Sequence, residues 1–124
     1  MNLIIGAPNH GVMIPIPQYP LYSATITMTQ GAMVNYYLDE AKGWALDVSE
    51  LERSYAEACD RGVDVKSLVV INPGNPTGQV LREQNLEEII RFAYERRLVL
   101  LADEVYQENI YIDRPWMSLR RKLA

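Results

Sequence analysis

The feature that most constrains this chain is a regular alternation of two hydrophobic periods along its 124 residues. Short apolar runs rich in β-branched residues, which are typical of buried strands, occur at 12–16, 33–38, 68–72 and 98–102. Between these runs, apolar residues recur every three or four positions, which predicts amphipathic helices. Strands that alternate with helices form right-handed crossover units. The sequence therefore predicts an α/β fold with a mostly parallel sheet and flanking helices.

The helical segments are also marked by residues that start and stop helices. Ser49 and Glu52 have the spacing of a capping box and predict the start of a helix that Gly62 ends. Another helix is expected from near Pro20 to about Gln30. The clearest helical pattern is an apolar stripe that is predicted to pack against the sheet. It consists of Leu86, Ile89, Ile90 and Ala93.

The composition excludes several classes of protein. With 48% hydrophobic and 23% charged residues, the chain belongs to the globular class and is expected to form one domain or part of one. A net charge of -4 and a basic tail of only three residues, 120–122, argue against a nucleic-acid or anionic-membrane partner. No signal peptide or membrane span is indicated, so we expect a cytoplasmic protein.

The chain has one cysteine and one histidine, Cys59 and His10. A single cysteine forms no intrachain disulfide, and we expect Cys59 to be a small buried residue on a helix rather than a nucleophile. His10 has no second histidine with which to share a metal, so we expect it to be a turn residue. The sequence therefore predicts no metal site.

A rigid, polar turn follows the third predicted strand, in the segment Asn72-Pro-Gly-Asn-Pro-Thr-Gly78. Two prolines fix φ, glycines permit a tight backbone path, and Asn75 stands between them with an amide that can point into a cleft. The alternative is a stiff connection in which Asn72 and Asn75 only bond the local backbone. The residues of this segment alone do not decide between the two.

The fourth predicted strand ends in a carboxylate, Asp103. Because the carboxyl ends of parallel strands meet at one edge of a sheet, Asp103 is expected near the turn at 72–78. A carboxylate beside an apolar strand needs a partner, and a protonated pyridine nitrogen would be one. The alternative, a helix cap or a surface acid, is the interpretation we prefer for Glu104 but not for Asp103.

These two motifs, Asn72 to Gly78 followed by Asp103-Glu-Val-Tyr106, resemble the large domain of the fold-type I aminotransferases, which are PLP-dependent transferases. Three further segments are similar to the alanine aminotransferases in particular: 14–23 (IPIPQYPLYS), 36–40 (YYLDE) and 44–47 (WALD). The resemblance extends from about residue 11 to the end. It implies that residues 1–124 form a partial cofactor-binding large domain.

The resemblance also implies a cofactor, pyridoxal 5'-phosphate, and roles for four residues. Asp103 would pair with the pyridinium nitrogen, and Asn75 and Tyr106 would hydrogen-bond the phenolic oxygen of the ring. Tyr19 would stack on the ring. The alternative role for Tyr19 is that of an aromatic residue packed in the core at the start of a helix. The implied reaction converts L-alanine and 2-oxoglutarate into pyruvate and L-glutamate in a homodimeric protein.

Transamination in this family needs a lysine that forms a Schiff base with the cofactor, within a serine-rich motif after a later strand. Lys42, Lys66 and Lys122 do not match that context and are expected to be solvated surface charges, so no catalytic residue is assigned. We therefore expect the chain ending at Ala124 to be inactive alone. The alternatives are a noncatalytic truncated α/β module, or a related aminotransferase with another amino-acid substrate.

A nucleotide-binding doubly wound domain is a further possibility. It predicts a glycine-rich phosphate turn after the first strand. Pro15, Ile16 and Pro17 stand there instead, which argues against it.

Overall fold

The computed structural model describes residues 1–113 and 115–123 and shows a four-stranded sheet with helices on both faces. Its sheet order is β2-β1-β3-β4, and every neighbouring pair is parallel. The predicted α/β class is confirmed. In chain order the elements are β1 His10–Ile16, α1 Leu21–Met28, β2 Ala32–Tyr37, a 3-10 turn Glu40–Lys42, α2 Val48–Asp60, β3 Asp64–Ile71, α3 Glu83–Glu95, β4 Val99–Asp103 and α4 Leu119–Leu123.

The sheet has a separate apolar cluster on each face. Helices α2 and α3 pack on one face, where Met13 of β1 joins the larger cluster. On the other face Ile26 of α1 packs against Val12 and Ile14 of β1 and Val69 of β3. Strands β1 and β3 are thus buried on both faces, which explains why their sequences are continuous apolar runs rather than alternating ones.

The register places the carboxyl ends of the strands along one edge. Met13 pairs with Leu68, and Ile71 pairs with Asp103. Beyond the last pair, Asn72 N donates to Asp103 O at 2.9 Å, which extends the ladder by one residue. The loops that follow β1, β3 and β4 therefore start next to one another, as we expected for the polar segments at 72–78 and 103–106.

The start of α2 differs from the predicted capping box. The helix begins at Val48, and the carboxylate of Asp47 accepts a hydrogen bond from Ser49 N at 2.9 Å. Asp47 lies one position before the helix and so reaches the free N–H groups first, whereas Glu52 forms an ion pair with Arg96. The prediction of a Ser49–Glu52 box is wrong, although the helix itself is confirmed.

The other helix ends agree more closely with the sequence. Gly62 directly follows the C-cap of α2 and has a φ of 78°, a conformation that glycine adopts without steric cost. Pro20 is the N-cap of α1 rather than its first helical residue. Helix α1 ends at Met28, two residues before the predicted Gln30.

Two of the expectations for single residues need correction or refinement. Cys59 lies on a helix as predicted but is exposed, because it follows the inward-facing Ala58 by one residue and is rotated away from the sheet. His10 begins β1, and its Nδ1 accepts a hydrogen bond from Gly6 N at 3.1 Å. It thus closes the preceding loop.

None of the helices within residues 1–113 and 115–123 is both long and apolar enough to cross a membrane. Within the same residues, no group of three or more His, Cys, Asp or Glu side chains is arranged to hold a metal ion.

Candidate functional site

The turn after β3 is a closed, well-bonded loop. Gly74 N donates to Gln79 O at 3.0 Å, and Gly78 N donates to Gly74 O at 2.9 Å. A Cβ at Gly74 would overlap the side chains of Gln79 and Thr77, so a larger residue there would require those two side chains to move. The peptide bonds before Pro73 and Pro76 are cis.

The two asparagines of this turn have different environments. Asn72 is fully buried, and its Oδ1 accepts a hydrogen bond from Leu81 N at 3.0 Å. For Asn72 the local-backbone alternative is therefore correct. Asn75 is partly exposed, and its Nδ2 donates to the Tyr106 hydroxyl at 3.4 Å, a long hydrogen bond between the loops after β3 and β4.

Asn75 and Tyr106 line one surface depression. Its other residues are Pro73, Gly74, Pro76, Gly78, Asn109 and Tyr111. The two side chains that the resemblance assigns to one cofactor oxygen thus lie together at the carboxyl edge of the sheet.

Asp103 is the last residue of β4 and is partly buried. Its Oδ2 accepts a hydrogen bond of 2.6 Å from the Tyr22 hydroxyl, and its Oδ1 accepts one of 3.3 Å from Val105 N. A carboxylate has about four lone-pair positions, so Asp103 retains acceptor capacity for a further cationic donor.

Tyr22, in the first turn of α1, was not identified from the sequence. Burial, together with the adjacent Asp103 carboxylate, raises the pKa of the Tyr22 hydroxyl above its usual range, which keeps it a neutral donor. A signal was present: Tyr22 follows Tyr19 by three residues at the start of a predicted helix. Nothing local indicated that its hydroxyl would face a residue 81 positions away.

Tyr19 lies in the loop between β1 and α1, with 57% of its surface exposed. This exposure contradicts the alternative of an aromatic residue packed in the core. Tyr19 N donates to Asn75 O at 3.1 Å, which ties the loop after β1 to the turn after β3. The structure therefore joins Tyr19 to Asn75, Asn75 to Tyr106 and Tyr22 to Asp103, in three separate contacts along one edge.

The remaining candidates have structural partners. Glu104 accepts a hydrogen bond of 2.7 Å from Leu119 N, which caps the first turn of α4 and confirms the preferred interpretation. Lys42 pairs with Asp39 at 3.4 Å, and Lys66 pairs with Asp64 at 2.5 Å.

Lys122 bridges α4 to α3 through ion pairs with Glu83 at 2.6 Å and Glu87 at 2.5 Å. The side chain of Lys122 is only 20% exposed, so it is less solvated than we expected. All three lysines are thus engaged with carboxylates.

The donor set at the edge fits one kind of ligand by its chemistry. A carboxylate can pair with a protonated ring nitrogen, and an amide with a phenol can donate to an anionic ring oxygen. The exposed ring of Tyr19 offers a flat apolar surface. Together these groups suit a planar aromatic cofactor such as pyridoxal phosphate.

Comparison with known proteins gives one consistent result. The family model described as aminotransferase class I and II matches residues 2–122. The chain is 54% identical over 124 residues to alanine aminotransferase 2 of Panicum miliaceum, covering 100% of this chain and 26% of that protein. It is 52% identical to glutamate–glyoxylate aminotransferase 1 of Arabidopsis thaliana, covering 99% of this chain and 26% of that protein.

The fold is similar to solved aminotransferases. The structure of aspartate aminotransferase from Thermus thermophilus with maleate superposes with a TM-score of 0.84 and 26% identity. The superposition covers 98% of this chain and 30% of that one. The chain therefore spans about a quarter of the length of the curated relatives that it matches.

Proposed function

The chain belongs to the class I and II aminotransferases, and we propose that it forms part of the cofactor-binding domain of a PLP-dependent alanine aminotransferase. The longer protein would convert L-alanine and 2-oxoglutarate into pyruvate and L-glutamate. Alanine aminotransferase 2 of Panicum miliaceum, at 54% identity, supports this choice of substrates. The activity is proposed for the longer protein, and its catalytic lysine would come from outside these 124 residues.

One structural observation carries the proposal: the carboxylate of Asp103 and the Asn75–Tyr106 pair stand at the ends of adjacent strands, β4 and β3. Bound there, the cofactor would supply an electron sink for the substrate carbon that loses its proton. Asp103 would hold the proton on the ring nitrogen by pairing with it. Asn75 Nδ2 and the Tyr106 hydroxyl would donate to the anionic ring oxygen, and Tyr19 would cover one ring face.

The test of the site is the replacement Asp103→Ala in the full-length protein. We expect kcat/KM for alanine to fall by roughly 100-fold or more, because the ring nitrogen loses its anionic partner. The matched control is Asp60→Ala, which removes an exposed carboxylate at the end of α2. Activity of Asp103→Ala equal to that of the control would show that the assignment of Asp103 is wrong.

A second experiment addresses the lysines. Borohydride reduction of the protein with pyridoxal phosphate, followed by peptide mapping, identifies the lysine to which the cofactor is linked. We expect the label outside residues 1–124. Lys42, Lys66 and Lys122 are all engaged in ion pairs, so we expect none of them to carry the label. A label on any of the three would contradict the proposal.

A second substrate pair is favoured by a specific observation, the 52% identity to glutamate–glyoxylate aminotransferase 1 of Arabidopsis thaliana. Assays with glutamate as the amino donor and either pyruvate or glyoxylate as the acceptor separate the two. Faster turnover with pyruvate supports the alanine assignment, and faster turnover with glyoxylate supports the other. A protein that binds no cofactor would instead support the noncatalytic α/β module.

We also propose that the longer protein is a homodimer located in the cytoplasm, with a mitochondrial location as the alternative. Sedimentation velocity tests the first proposal, because a dimer sediments faster than a monomer of the same chain. Fractionation of cells tests the second.

A further inference from the structure

The hydrogen bond between Tyr22 and Asp103 joins two distant parts of the chain at the proposed site. Tyr22 lies in the first turn of α1 and Asp103 ends β4, 81 residues later. At 2.6 Å the bond is as short as a charge-assisted O–H···O hydrogen bond, and no other side-chain hydrogen bond to Asp103 is found among the described residues.

The ring of Tyr22 is itself held in place. It packs against the smaller apolar cluster, which contains Ile26 of the same helix and Val69 and Ile71 of β3. Ordinary packing therefore fixes the direction of the hydroxyl. Burial and the nearby carboxylate raise the pKa of this hydroxyl, so it remains a donor at neutral pH.

The side chain of Asp103 has little else to orient it. The sheet fixes its backbone, since Asn72 N donates to its carbonyl oxygen. Among the residues that the structure describes, the carboxylate accepts one further hydrogen bond, a long one of 3.3 Å from Val105 N. A carboxylate held by one short and one long bond depends mainly on the short one for its orientation.

We infer that Tyr22 is a positioning residue, whose hydroxyl holds the Asp103 carboxylate in one orientation for the ring nitrogen of the cofactor. This inference rests on the proposed function. A donor at a fixed position favours the carboxylate orientation that accepts its hydrogen bond. Tyr22 therefore acts through Asp103, with its ring packed in the apolar cluster and its hydroxyl on Oδ2.

The test is Tyr22→Phe in the full-length protein, which removes one oxygen and keeps the packed ring. Titration of the apoprotein with pyridoxal phosphate is expected to give a Kd raised about tenfold, the size of effect typical of a lost hydrogen bond to a charged group. In steady-state assays kcat is expected to fall while KM for the amino acid changes little. Tyr94→Phe, which removes a hydroxyl from a residue that is 83% exposed, is the matched control.

The decisive comparison repeats Tyr22→Phe in a protein that already carries Asp103→Ala. If Tyr22 acts through Asp103, the second substitution leaves the Kd of Asp103→Ala unchanged. An equal loss of affinity in both backgrounds would show that Tyr22 acts independently and would overturn the inference. Urea unfolding of each apoprotein tests whether Tyr22 has only a structural role. In that case Tyr22→Phe would lower the free energy of unfolding and leave the cofactor affinity unchanged.

Failure of the inference can be separated from failure of the proposed function. If Asp103→Ala weakens cofactor binding and Tyr22→Phe does not, only the positioning role is wrong. If neither Asp103→Ala nor Asn75→Ala changes cofactor affinity, the proposed site itself is wrong, and the role of Tyr22 is lost with it.

Discussion

Residues of the same type have opposite roles at this edge of the sheet. Asn72 and Asn75 both precede proline in one turn, yet Asn72 is fully buried and bonds Leu81 N, while Asn75 is partly exposed and reaches Tyr106. Asn72 directly follows β3, whereas Asn75 lies three residues further along the loop. At the scale of single residues, function therefore depends on direction more than on residue type.

Tyr36 provides a test at the residue scale. It is fully buried, and its hydroxyl donates to Val69 O at 2.8 Å. Burial raises the pKa of this hydroxyl above its value of about 10 in the unfolded chain, so its contribution to stability is present below pH 10 and is lost as the pH rises further. Tyr36→Phe should cost about 1–2 kcal/mol at pH 7, because Val69 O loses its donor.

The measurement is urea unfolding of the protein and the Tyr36→Phe variant between pH 7 and 11. The difference in unfolding free energy is expected to be constant up to about pH 10 and to narrow above it. Two curves that stay parallel up to pH 11 would show that the Tyr36 hydroxyl does not titrate differently in the folded protein.

At the scale of elements, α2 protects an edge of the sheet as well as covering a face. Its Glu50 carboxylate accepts a hydrogen bond from Tyr37 N at 3.0 Å, and Ser54 donates to Asn35 O at 2.9 Å. Both backbone groups belong to β2 and point away from β1. Side chains of the helix thus satisfy polar groups that an edge strand leaves open to pairing with another chain.

The cap of α2 can be tested by substitution. Asp47→Ala should destabilise the helix by about 1 kcal/mol, because Ser49 N loses its acceptor. Asp47→Asn keeps an acceptor oxygen at the same position and should cost much less. Hydrogen exchange of the first-turn amides of α2 measures both, and equal acceleration in the two variants would argue against the cap.

At the scale of the whole molecule, the two apolar clusters share the same strands. Val12 and Ile14 of β1 enter the smaller cluster, while Met13 between them enters the larger one. Strand β1 cannot separate from one apolar cluster without also separating from the other. The two faces of the sheet are therefore expected to unfold together.

Ile26→Ala tests this coupling. Ile26 is fully buried on the α1 face, and its truncation should cost about 2–5 kcal/mol. The slowest amides of α3, on the opposite face, should then exchange faster by the same free energy in native-state hydrogen exchange. Met28→Ala, at a position that is 84% exposed on the same helix, should have little effect. Faster exchange confined to α1 would mean that the faces unfold separately.

The sequence by itself determined the elements of this protein. The four apolar runs correspond to β1–β4, the stripe at 86–93 lies in α3, and Gly62 follows the end of α2. These predictions succeed because hydrophobic period and helix-stop residues are properties of neighbours in the chain. The N-cap of α2 was placed two residues late, at Ser49 instead of Asp47, because both residue types are common N-caps.

Only the tertiary structure decided the order β2-β1-β3-β4, the different directions of Asn72 and Asn75, and the contact between Tyr22 and Asp103. Each depends on how separate crossover units pack side by side. Sequence periodicity shows which face of an element is apolar, but packing decides which distant element meets it. A hydrogen bond across 81 residues is therefore decided by the fold as a whole.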